Sequence, residues 1–159
     1  WRYEMASPLI RTNDDPVALI MRLVLGIVFF PHGAQKVLGW FGGHGVSATL
    51  DAMTKQGLPA ILVILIMVAE FGGSIGLILG FLTRLAALGV GCVMLGAILM
   101  VHGKIGFFMN WFGNQKGEGY EYHLLALGLV VALLIKGGGL LSVDRALSGG
   151  DARAASARY

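Results

Sequence analysis

The stretch from Pro59 to Leu82, PAILVILIMVAEFGGSIGLILGFL, is apolar throughout except for one ionisable group, Glu70, near its middle. At about 1.5 Å of rise per helical residue it covers the roughly 30 Å hydrocarbon layer of a bilayer. A carboxylate at that depth costs on the order of 3 kcal/mol or more unless it is paired, neutral or turned toward water. The chain is therefore read as a membrane protein organised around Glu70, and that residue requires polar partners from other helices. On the same helix Gly72, Gly76 and Gly80 recur every fourth position as a flat ridge for close helix approach. Glu70 falls on a different face, beside Gly73, Ser74 and Leu77.

Composition agrees. Of 159 residues 56% are hydrophobic and 13% charged, which suits several membrane spans and excludes an ordinary soluble domain of this length. The basic pI of about 9.3 does not point to nucleic acid, because the twelve Lys and Arg residues are scattered and form no basic face. The single cysteine, Cys92, lies in an apolar segment and reads as a packing residue; with one cysteine there is neither an intrachain disulfide nor a CxxCH haem attachment.

Four spans are predicted, at about 17–38, 59–82, 85–101 and 120–141, between a polar N-terminal segment (1–16) and a polar tail (142–159). Asn13-Asp14-Asp15-Pro16 supplies cap-forming side chains and a first-turn proline for the first span. Its apolar run is followed by His-Gly-Ala-Gln-Lys and not by a small-residue cleavage site, so it reads as retained. Pro31 should kink it, and Arg22, His32 and Lys36 share one broad face, directed either into a bundle or, for Arg22 and Lys36, toward the two interfaces. Residues 39–57 read as a loop anchored by Trp40 and Phe41. Thr83-Arg84 forms a tight hairpin between spans two and three, and the loop 103–119 has an aromatic centre, Phe107 to Phe112, that belongs at the membrane interface. The tail reads as loose.

This gives an all-α, left-handed four-transmembrane-helix bundle. Arg2, Arg11, Arg22, Arg84, Lys136, Arg145, Arg153 and Arg158 fall on the side of the termini, against Lys36, Lys55, Lys104 and Lys116 on the other, so both termini are expected to be cytoplasmic. His32, Lys36, His102, Glu121 and His123 then gather at the outer ends of the helices, with Glu70 deeper. Polar side chains there would sit at lower free energy in water, so their convergence points to a site.

The motifs His32-Gly-x-x-Lys36, Glu70-Phe-Gly-Gly, Thr83-Arg84, Gly119-Tyr-Glu-Tyr-His123 and Gly139-x-x-Ser-x-Asp144, in this order over residues 16–147, resemble the DoxX family of small four-helix membrane proteins. The resemblance implies membrane redox chemistry, through relatives in thiosulfate:quinone oxidoreductase, and a location in a bacterial or archaeal inner membrane. Three functions compete. In the first, the outer pocket holds a quinone headgroup: His32 or His102 bonds a carbonyl, Glu70 or Glu121 carries the proton, and Lys36, His123, Trp111 and Tyr122 line the headgroup. Electrons then come from a partner subunit or a small donor, since no nucleophile motif, phosphate loop or nucleotide fingerprint is present. In the second, His32, His102 and His123 with a carboxylate hold a metal or haem. In the third, the chain is a non-catalytic anchor or accessory subunit of a larger complex.

Overall fold

The computed structural model describes residues 7–148, and within them every regular element is helical. Residues 1–6 and 149–159, with Arg2, Arg153 and Arg158, lie outside the described residues. Helix α1 (Pro16–Val37) starts where Asp15 Oδ1 accepts the N–H groups of Val17 and Ala18, at 2.8 and 3.2 Å. The other carboxylate oxygen of Asp15 pairs with Lys136. That bond from Lys136, reinforced by the Ala18 N–H, holds the Asp15 carboxyl below its ordinary value of 3.8. The latch therefore persists at neutral pH and is lost only as the pH falls below that value.

A second helix, α2 (Gly45–Lys55), occupies the segment predicted to be a loop. Val46 to Lys55 has neither glycine nor proline, and Leu50 and Met53 pack against a small cluster of Leu58, Val63 and Met67. The irregular chain of the predicted loop before α2 is confined to residues 39–44. There the chain folds back so closely that a Cβ on Gly43 would lie 2.2 Å from the Gln35 carbonyl oxygen.

Helix α3 (Ala60–Leu79) carries one π turn at Val68–Gly72, with Glu70 at its centre, and ends at Gly80 with φ 66°. After a short turn α4 (Thr83–Met100) runs back and closes in a 3-10 turn at His102–Lys104. Helix α5 (Glu121–Lys136) follows the aromatic loop, and a short α6 (Val143–Leu147) completes the described chain. Among the described residues three helices, from α1, α3 and α4, are long and apolar enough to cross a membrane. With 16 residues α5 is shorter than the span predicted at 120–141, about 24 Å of helix. It stops because Gly137 (φ 79°) turns the chain, and 138–142 folds under the helix ends.

All four long helices contribute to one core: Leu25 and Phe29, Leu77, Ala87, Val90 and Met94, and Ala126, Val130 and Leu133. The closest approach is between α1 and α3, where a Cβ on Gly33 would lie 2.5 Å from the backbone N and Cα of Phe71. Backbone cannot yield as a side chain can. Gly33→Ala should therefore force α1 from the π turn and cost about 1–3 kcal/mol, read as a lower melting temperature of the purified protein. An unchanged melting point would show that the crossing is looser than this geometry. The expected Gly72/Gly76/Gly80 ridge is divided among three tasks. Gly76 meets Phe81 and Ala86 in the α3–α4 hairpin, Gly72 is exposed, and Gly80 terminates the helix.

The ends of the helices on the side of the termini are tied by charged groups bonded to backbone. Arg22, buried at 1% exposure, donates to the carbonyls of Leu77, Ile78, Gly138, Leu140 and Leu141 at 2.5–3.1 Å. Arg84 donates to those of Pro8, Arg11, Leu134 and Ile135. Asp144 accepts the N–H groups of Leu82 and Thr83 at 2.7 and 2.8 Å, capping the first turn of α4. The tail expected to be loose from Ser142 onward is thus docked through Leu147. Of the two directions open to Arg22, the structure selects the bundle interior over the interface.

Candidate functional site

At the opposite end of the helices Glu70 projects inward from the π turn and is 5% exposed. Its Oε2 accepts a hydrogen bond of 2.5 Å from Lys36 Nζ, in the last turn of α1. A polar partner for Glu70 is expected from another helix, His32 or His102 foremost; α1 supplies it, but the residue is Lys36 and neither histidine. Gly33, one turn before Lys36, makes the contact possible by letting α1 lie against the backbone of Glu70 and Phe71. Lys36 also faces the His32 carbonyl at 3.5 Å, a capping contact to the last turn of α1.

The ion pair lies at the head of an apolar groove of about 840 Å³ between α3 and α4, beneath α2. Gly72, Gly76, Gly89 and Gly96 keep the groove open along the helices, and Met53 and Gln56 of α2 border its polar end. Leu65, Val68 and Leu85 on its rim are exposed apolar side chains, so the groove opens toward acyl chains. Cys92 lies within it. These lining residues were missed in the sequence. The available signal is the pair of glycines, Gly89 and Gly96, inside an apolar span, a pattern that equally suits close helix packing.

The other predicted site residues divide into two groups. His32 is exposed, with its ring centroid 6.3 Å from that of Phe29, and stands apart from Glu70, His102 and His123. The orientation expected for it, into the bundle, is corrected: the inward positions there belong to Phe29, which is buried in the core, and to Phe30, which packs on Phe71 of the π turn. His102 and His123 come together, with ring centroids 4.2 Å apart, and Tyr122 packs edge-on to His123 at 5.5 Å. Glu121 holds the aromatic loop, its Oε1 accepting the Met109 N–H at 2.8 Å and Trp111 Nε1 at 3.3 Å. Trp111 itself is 79% exposed. Among the described residues no three His, Cys, Asp or Glu side chains gather as metal ligands, so the proposed His32/His102/His123 ligand set does not form.

The family model for DoxX matches residues 17–103, more than half of the chain. The chain belongs to the DoxX family. The inner membrane protein YqjF of Escherichia coli (strain K12) is 30% identical over 136 residues, covering 85% of this chain and 95% of that protein. A Bacillus subtilis (strain 168) protein named "Putative oxidoreductase CatD" is 29% identical over 115 residues, 72% of this chain and 76% of its own length. No solved structure matches. The DoxX assignment, the three long apolar helices and the inner-membrane relative make this a membrane protein in contact with the lipid bilayer. The DoxX match includes both halves of the ion pair, Lys36 and Glu70, and ends just past His102.

Proposed function

We propose that this DoxX protein is a quinone-linked subunit of a membrane redox system, and that it binds the quinone with its headgroup at Lys36–Glu70 and its apolar chain in the α3–α4 groove. The observation that carries this is a buried ion pair opening onto an apolar groove on the lipid-facing side. Such a site suits an amphiphile with a neutral, hydrogen-bonding head, because a net charge would upset the neutrality of the pair. The ammonium of Lys36 can donate to a carbonyl oxygen. Glu70 can accept a proton from a hydroxyl and pass it on. A bound quinone would supply the electron and proton chemistry, and the chain's part is to orient the head and exclude water from it. The name of the Bacillus relative adds support for redox chemistry. Electrons reach the site from a partner subunit or a small donor.

The reading includes a topology. The ends of α1, α3, α4 and α5 on the side of the termini meet through Arg22, Arg84 and Lys136. This supports α5 as a fourth span in a four-helix bundle, with both termini cytoplasmic by the charge asymmetry and the site in the outer half.

The test is quinol oxidation or quinone reduction by membranes carrying Glu70→Gln, with protein abundance measured in parallel. The amide preserves shape and hydrogen bonding but cannot exchange a proton, so the rate should fall about a hundredfold while assembly persists. Wild-type turnover by an assembled Glu70→Gln protein would replace this reading with that of an accessory subunit.

A further inference from the structure

Two buried polar atoms in the first turn of α5, the Tyr122 hydroxyl and His123 Nδ1, have no hydrogen-bond partner among the described residues. His123 is 5% exposed, so bulk water does not serve it. Buried polar atoms are nearly always satisfied, and where protein supplies no partner an internal water commonly does. The two residues adjoin different neighbours. On one side the His123 ring faces the half-buried His102 at 4.2 Å. On the other, Tyr122 packs into the core shared by the four helices, within electrostatic range of the Glu70 carboxylate.

We propose that His102, His123 and Tyr122 form a proton path, bridged by internal water, between the loop end of the helices and the Glu70 carboxylate. It rests on Glu70 being the proton-exchanging group of the site. His102 is oriented for entry: its Nδ1 lies 2.7 Å from the Glu118 carbonyl, which can only accept, so Nδ1 carries the hydrogen and Nε2 keeps a lone pair. A proton taken up at Nε2 leaves again from Nε2 through bridging water toward His123, because Nδ1 stays bonded to the Glu118 carbonyl, and His123 and the Tyr122 hydroxyl each gain one proton and give one up. Only N–H and O–H bonds change, and the proton ends on Glu70, releasing Lys36 from its ion pair. The nearby carboxylates do not intercept it. Glu121 is held by Met109 and Trp111, and Glu118 by the Asn110 N–H at 2.6 Å.

The experiment is rapid-mixing infrared spectroscopy on the purified full chain in lipid. After a jump from neutral to acidic pH, the carbonyl stretch of protonated Glu70, assigned by its absence in Glu70→Gln, rises with time. In Tyr122→Phe, which removes only the unpartnered oxygen, and in His123→Gln, that rise should slow by about tenfold or more at unchanged amplitude. His102→Gln should slow it as well. Wild-type kinetics in both Tyr122→Phe and His123→Gln would overturn the path and route the proton past the partly exposed Lys36 instead. No quinone takes part, so that result would leave the quinone reading standing, while loss of quinol turnover alone would leave the path standing.

Discussion

Arg22→Leu should leave little folded protein in the membrane. Five backbone carbonyls, from the end of α3 and from the 138–141 segment, converge on one guanidinium. Removing it strands these acceptors, those of Gly138 and Leu77 in fully buried bonds and the other three partly buried. At about 1–3 kcal/mol for each buried group left unpaired, the loss is roughly 5 kcal/mol or more, comparable with the whole stability of a small domain. Arg22→Lys should be intermediate, because a single ammonium lacks the planar fork needed to bond a helix end and a loop at once. Membrane abundance and the melting temperature in mild detergent measure both. If the leucine variant accumulates and melts like wild type, the carbonyl cluster is not what joins α1, α3 and the 138–141 segment.

The second large effect is at the other end of the bundle. Lys36→Met leaves Glu70 buried without its cation, and breaking such a pair should cost about 3–5 kcal/mol. Glu70→Gln alone should cost less, since Lys36 is partly exposed and its ammonium can turn to water. The double variant Lys36→Met/Glu70→Gln removes both charges and should recover most of the stability lost in Lys36→Met, because a neutral amide is easier to desolvate than a carboxylate. Stability restored without turnover would separate the structural role of the pair from its chemical one. A double variant no more stable than Lys36→Met would mean that the two positions are not coupled through their charges.

The ion pair and the arginine latch differ in how far each was visible beforehand. Glu70 stood out because an acid in an apolar span has few affordable environments, and that argument needs no coordinates. Its partner could not be chosen from helix one by wheel geometry alone. His32 and Lys36 are four residues apart on adjoining turns, and the choice between them fell to the close α1–α3 crossing at Gly33 and to the π turn that re-aims Glu70. The same holds for His102 and His123, which come from different helices yet meet at 4.2 Å. Arg22 was ambiguous because its length allows either a path to the interface or an inward turn. The deciding partners are carbonyls more than fifty residues away, and backbone acceptors carry no sequence signature.

Membrane residence, the helical class, the three long spans and the isolation of Glu70 followed from the sequence by itself, because each depends on local hydropathy and on the cost of a charge in hydrocarbon. The DoxX assignment likewise needed only the order of short motifs. What the tertiary structure alone decided were the Lys36–Glu70 pair, the outward turn of His32, the docking of Asp144 and the groove between α3 and α4. The physical reason is common to all four. Each is set by where two distant backbones can approach, and that depends on glycines and turns whose effect appears only when the helices are packed together.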